Sequence, residues 1–285
     1  MSIPRSWLYV PGHRPERVRK ALASAADAVV VDLEDAVPVA AKDEARRSTV
    51  ALLEDRPPDS PPIWVRVNPP TELVGRADVE ALAGMPLDGL RVPRCEDPGS
   101  VHAVAEQTGF ALMLLLETAR GLLRASELAT AHTRVRGLGL GESDLAADLM
   151  VPSDSGLDWA RGVVVAASRA AGLGSPVQSV WTQVADLDGL RASCQAGLAH
   201  GFFGRSVVHP SQIDVVHEIY TPSAREVADA RAVLATGAEA RSRGEVAALD
   251  DQGRFVDPAV EARARVVLDR IPVERGVDSD PKGQS

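Results

Sequence analysis

The sequence is poor in cysteine and in basic charge, and each shortage removes a class of protein. Two cysteines in 285 residues, Cys95 and Cys194, stand far apart with no companion His or Cys at ligand spacing. Neither a disulfide framework nor a zinc site is signalled, so both thiols are expected to be buried and reduced. The formal net charge of −9 argues against a nucleic-acid partner, whose binders carry a basic patch. No apolar run approaches the ~20 residues of a membrane span, and no N-terminal stretch joins a basic region to an apolar one as a signal peptide does. No membrane partner and a cytoplasmic location are therefore expected. What remains, at 45% hydrophobic and 25% charged residues, is a globular chain able to bury one large core or two modest ones. An anionic substrate has to be captured by individually placed arginines.

What is present is an alternation of short apolar runs with helix-length segments. The run FALMLLLETARG, Phe110 to Gly121, is apolar for seven residues and then delivers Glu117 where a helix pattern begins. Such a run suits a strand covered on both faces, as in parallel sheets, and ligands gather at the carboxyl ends of such strands. The same pattern recurs at Trp7 to Val10, Ala28 to Leu33, Ile63 to Val67, Gly89 to Val92, Gly137 to Gly141, Val177 to Trp181 and Phe202 to Val208. Eight strands, each followed by a helix-length segment, predict an α/β chain folded as a (β/α)8 TIM barrel over residues 1–220. A doubly wound open sheet is the alternative. From Thr221 the alternation stops. A helix over Ser223 to Arg243, a hairpin over Ala247 to Asp257 and a helix over Glu261 to Arg270 form an expected appendage, 221–273. It has few apolar residues and is expected to pack on the barrel or on another subunit. A polar tail, 274–285, is expected to be disordered.

The polar residues at strand ends are the candidate site. In Trp64-Val65-Arg66-Val67-Asn68 the period of two separates the valines from Arg66, which then points into the barrel mouth. An arginine there either grips a substrate carboxylate with its planar fork or pairs internally with Glu34 or Asp32. Glu117 and Asp144, from adjacent strands, are placed to share a magnesium ion, which takes one or two protein carboxylates and keeps waters. Manganese is the other hard-ion candidate, and zinc is disfavoured because no imidazole or thiolate sits at either strand end. Glu34 and Asp35 are candidate acceptors for the metal's waters, or a general base. For Glu117 the competing role is capping the next helix. His13 and Arg14 precede a helix N-terminus, where anions are favoured, which makes Arg14 a substrate-binding candidate. Gly137, Gly139 and Gly141 lack phosphate-loop spacing and read as small residues that let a ligand approach the backbone. His209 reads as part of a capped turn, with general base as the alternative. Ser143 and Ser211 have no His-Asp partners for a hydrolytic triad.

The stretches RSWLYVPGHRPERVRKALASAADAVVVDLEDAV, WVRVNPP, LLLETARGLLRASELA, GLGLGESDLAADL and VVHPSQIDVVHEIYTPS resemble the HpcH/HpaI aldolase and citrate lyase β-subunit family, in its CitE-like branch. That resemblance spans almost the whole chain. It implies a (β/α)8 barrel assembled as a homotrimer or hexamer. It also implies Mg2+-dependent cleavage or formation of a C–C bond in 3-hydroxyacyl-CoA thioesters such as citryl-, malyl- or citramalyl-CoA. By position, Glu117 and Asp144 look like the metal ligands, with Glu117 also close to substrate, and Arg66 looks like the carboxylate-binding arginine. Two departures stand out: PGHRP replaces PGNRP, and VPRC stands where a lysine is common, which leaves the contacts of His13 and Arg94 open. In relatives with a G-x-x-V-D segment, an aspartate at the place of Asp257 acts as acid/base in a neighbouring subunit's site; the local reading of Asp257 is a helix N-cap. The reaction expected is lysis of a 3-hydroxyacyl-CoA to a 2-oxo acid and a short acyl-CoA. A malyl-CoA-type thioesterase, a CoA-independent oxo-acid aldolase and a subunit working on an acyl-carrier partner are the alternatives.

Overall fold

The computed structural model describes residues 4–272, and the tail expected to be disordered lies outside them. Two compact units are present, Pro4–Tyr220 and the residues from Thr221 on. Seven strands of the first unit form one parallel sheet: β1 (Ser6–Pro11), β2 (Ala28–Asp32), β3 (Ile63–Arg66), β4 (Gly89–Val92), β5 (Ala111–Leu116), β6 (Val135–Leu140) and β7 (Arg205–Val207). Their spatial order is β6-β5-β4-β3-β2-β1-β7. Two parallel bridges, Gly139 to Val177 and Gln178 to Arg205, link the outer strands β6 and β7 through one short segment. The ring is that of a (β/α)8 TIM barrel, and an open doubly wound sheet has no such closure.

Sequence reading placed a full strand at Val177 to Trp181; only Val177 and Gln178 bridge. The ladder ends because a side chain replaces it: Ser179 Oγ donates to the Leu140 carbonyl that the next backbone N–H would have met. Gln178 still donates its N–H to Gly204 at 3.1 Å and accepts from Ser206 at 3.0 Å.

The alternation of each strand produces two apolar layers. Leu8, Val10, Val29, Val31, Val65, Leu90, Val92, Leu112, Leu114 and Leu116 pack outward against the helices in the main core. Trp7, Ala28, Val30, Trp64, Met113 and Val177 form a separate cluster. Their alternation with the outward set puts them inside the ring, which is thus plugged by side chains and not open as a pore. Both cysteines are buried and free. Among the described residues no helix is long and apolar enough to cross a membrane.

In the second unit, Ser223 caps the helix Ala224–Ser242 in a capping box with Glu226. Antiparallel strands Ala248–Leu249 and Phe255–Val256 follow, then the helix Pro258–Asp269. Glu261 on that last helix pairs with Arg241 and, at 2.8 Å, with Arg265.

Candidate active site

The strand ends enclose a cavity of about 480 Å³ lined by, among others, Tyr9, Asp32, Asp35, Arg66, Glu117 and Asp144. Asp32 and Arg66 are the last residues of β2 and β3, Asp35 and Glu117 follow β2 and β5, Tyr9 lies within β1, and Asp144 comes from the helix after β6. Glu117 follows β5 and is 4% exposed. The helix behind it is capped by Thr118, whose hydroxyl accepts from the Gly121 N–H at 3.1 Å, so Glu117 is not the cap. Instead its Oε2 accepts from the Arg94 N–H at 2.9 Å, with Arg94 held at φ 49°. Asp144 lies in the first turn of the helix Glu142–Asp148 and is exposed toward the cavity mouth.

The three glycines of β6 and its end hold the neighbouring strand's side chains. A Cβ at Gly137 would sit 3.1 Å from Met113 Cε, at Gly139 3.2 Å from Leu115 Cδ2, and at Gly141 2.4 Å from Glu117 Cγ. The room expected for a ligand at the backbone is therefore occupied by Met113, Leu115 and Glu117. Gly141 is the one that lets Glu117 reach the mouth.

Arg66 realises the internal pairing. Its Nε and Nη2 donate to the two oxygens of Asp32 at 2.7 and 2.6 Å, so the two-point face is taken. Only the Nη1 edge looks to other acids, with Glu34 Oε2 at 2.8 Å and Asp35 Oδ2 at 3.1 Å. The bidentate fork expected for a substrate carboxylate is thus committed to Asp32, which leaves Nη1 as the edge not held by it. Burial opposes the Arg66 cation, but the Asp32 hydrogen bonds and charge outweigh it and hold the group protonated.

Glu142, which also lines the cavity, is bound through both oxygens by Arg161, at 2.9 and 3.1 Å. With Asp32 and Glu142 neutralised, Glu117 and Asp144 are left without a cationic partner; among the described residues neither is ion-paired. Burial pushes the Glu117 carboxyl up to about 7, partly offset by the Arg94 N–H and Arg66, with Asp144 and Asp35 adding repulsion. Burial likewise pushes Glu34 up to about 8, against the pull of Arg66. The Oε2 of Glu34 is buried and makes no hydrogen bond, although Arg66 is within ion-pair distance. Among the described residues no three His, Cys, Asp or Glu converge as a complete metal cage. Two uncompensated oxygen donors at a solvent-filled mouth fit a hard divalent ion that keeps most of its waters, and do not fit zinc.

Other expected residues fall elsewhere. Arg14 is exposed, precedes the helix Pro15–Leu22 in a non-helical conformation and does not line the cavity. Arg17, one turn on, does, because the helical period begins only after Arg14. His209 caps the turn Pro210–Gln212, its Nδ1 2.8 Å from Ser211 Oγ. Asp257 belongs to the second unit, where it caps the helix Pro258–Asp269 by accepting from the Val260 N–H at 2.8 Å. Sequence reading missed Arg91 of β4, which is 2% exposed and lines the cavity. The alternation that placed Arg66 was sufficient to find it.

Residues 5–210 match the family model described as HpcH/HpaI aldolase/citrate lyase. The chain belongs to the HpcH/HpaI aldolase/citrate lyase family. Residues 160–263 further match a model for C–C bond lyases of the TIM-barrel fold. Among its relatives, a (3S)-malyl-CoA thioesterase of Cereibacter sphaeroides is 37% identical over 93% of each chain. The citrate lyase subunit beta of Leuconostoc mesenteroides subsp. cremoris is 30% identical over 97% of this chain and 96% of its own. A crystal structure of CitE from Mycobacterium tuberculosis, in complex with magnesium, acetoacetate and coenzyme A, superposes with TM-score 0.78 at 33% identity, covering 94% of this chain and 98% of that one.

Proposed function

We propose that this family member is a Mg2+-dependent carbon–carbon lyase that splits a 3-hydroxyacyl-CoA thioester into a 2-oxo acid and a short acyl-CoA. The observation that carries the reading is the pair of carboxylates without an ion-pair partner among the described residues, Glu117 and Asp144, which line the cavity together with Arg66. The magnesium of the CitE complex and its coenzyme A support the choice of ion and thioester.

Glu117 and Asp144 would hold the ion, which supplies Lewis acidity toward the substrate's hydroxyl and carboxylate oxygens. Arg66 meets the substrate carboxylate through Nη1, its other edge fixed by Asp32. Asp35, exposed in the cavity, takes the hydroxyl proton, whereas Glu34, buried behind it, positions Arg66. As that proton leaves, the bond between the hydroxyl carbon and the carbon next to the thioester breaks. Its electron pair passes to the thioester as an enolate. A proton from a second acid completes the acyl-CoA, and Asp257 of an adjacent copy is the residue we assign to that step.

A thioesterase is the second reading, favoured by the 37% identical malyl-CoA thioesterase. There the C–S bond would break and free CoA thiol appear. Incubating the protein and Mg2+ with malyl-, citramalyl- and citryl-CoA, and separating the products, tests both. A short acyl-CoA with an equal amount of oxo acid is expected; free thiol with intact hydroxy acid selects the second reading, and no turnover of any thioester overturns both.

A further inference from the structure

In the four-residue strand β4, Gly89-Leu90-Arg91-Val92, Leu90 and Val92 belong to the outer core and Arg91 faces the inside of the ring. Its guanidinium stands 4.5 Å from the centre of the Trp7 ring and 5.2 Å from that of Tyr9. Nη1 donates to Tyr9 Oη at 2.8 Å and to Ser206 Oγ at 3.0 Å. Nε and Nη2 are buried and donate to nothing. Among the described residues no carboxylate lies within ion-pair distance of it.

The neighbouring arginine shows what is missing. Asp32, Arg66 and Arg91 are in register on β2, β3 and β4. Asp32 satisfies Arg66, and among the described residues nothing of opposite charge satisfies Arg91. Aromatic faces recover part of the cost of burying a cation, but a desolvated guanidinium with free donors is an anion receptor. Because Arg91 lines the same cavity as Glu117, an anion that enters the mouth can reach it. Arg91 pairs with Met113, and Glu117 lies four residues further along the same chain. Arg91 thus starts from a deeper strand position than Glu117, and a ligand held at Glu117 meets it by extending a second group inward.

We propose that Arg91 is a specificity-determining residue that receives the second carboxylate of a dicarboxylic 2-oxo acid. The thioester substrate then carries a terminal carboxylate beyond its hydroxyl-bearing carbon. This inference rests on the lyase reading above and narrows its substrate class.

Calorimetric titration of the protein in Mg2+ with pyruvate and with oxaloacetate compares one carboxylate with two. Wild type is expected to favour oxaloacetate by about tenfold or more, and Arg91→Met to bring the ratio within about threefold. Arg91→Gln, closer in polarity, serves as a second variant, and thermal melts of both check the fold. Wild type without preference for oxaloacetate overturns the proposal. So does a preference that survives Arg91→Met, or a variant that only melts earlier with its preference intact, which marks a purely structural arginine. If wild type binds neither acid, the metal-site reading fails and this inference with it.

Discussion

Gly141 and Glu117 occupy one another's space: a Cβ on the glycine would stand 2.4 Å from Glu117 Cγ. Gly141 has φ −89°, so alanine is conformationally admissible there and the cost falls on Glu117. We expect Gly141→Ala to leave the circular dichroism spectrum unchanged and to weaken Mg2+ binding by about tenfold to a hundredfold, as loss of support around a ligand does. Calorimetry of the variant checks this, and wild-type affinity would remove Glu117 from the metal site.

Stability without metal should fall as pH rises. Glu117 and Glu34 titrate in the fold near 7 and 8, above the ordinary value of 4.5. Between 4.5 and 8 these two groups bind more protons in the folded chain than in the unfolded one, and their contribution to stability decreases with rising pH. Melting in EDTA is expected at a lower temperature at pH 8.5 than at pH 7, with Mg2+ restoring the loss chiefly at the higher pH. His217, whose value burial lowers from 6.5, titrates in the opposite sense at and below 6.5, under the pH 7 to 8.5 range compared. A metal-free melting temperature that climbs from pH 7 to 8.5 would contradict this electrostatic account.

Arg66→Lys is not conservative. Lysine cannot make both hydrogen bonds to Asp32, which is 1% exposed; each Asp32 oxygen keeps a backbone donor, Glu34 N–H or Ala36 N–H, and losing one charge-assisted hydrogen bond costs about 1.5–3 kcal/mol. A misplacement of ~1 Å at the reacting carbon costs about 10²-fold in rate. A drop of that order in kcat/KM together with earlier urea unfolding is expected. Lowered stability with a normal rate would confine Arg66 to its ion pair.

Asp257 separates cap from chemistry by substitution. Asparagine caps a helix as well as aspartate does, whereas alanine costs about 1 kcal/mol. If Asp257 donates the final proton, both Asp257→Asn and Asp257→Ala lose turnover, and mixing Asp257→Asn with Glu117→Gln under verified subunit exchange restores part of it. Full activity in Asp257→Asn would leave only the cap.

Much of this architecture was legible from one-dimensional pattern. Apolar runs between Gly, Pro and acidic residues mark seven strands to within two or three residues at either end, and Gly89 to Val92 agrees at both ends. Asp32 was visible as a partner for Arg66 because both stand at strand ends. The segment at Val177 was overread since apolarity does not reveal that the Ser179 hydroxyl takes the place of a ladder bond. Arg14 stands out in the sequence and Arg17 does not, because the sequence shows where a helix can begin but not which residue first obeys its period. Glu117, Asp144 and Glu142 are alike as acidic residues; only three-dimensional packing shows that Arg161 neutralises Glu142 and that, among the described residues, no cation pairs with the other two.

The central claim is that Glu117 and Asp144 together bind one divalent ion, and titrating Mg2+ into wild type, Glu117→Gln and Asp144→Asn by calorimetry tests it most directly. The account predicts one ion per wild-type chain and no measurable binding in either variant. Wild-type affinity in either one would contradict it.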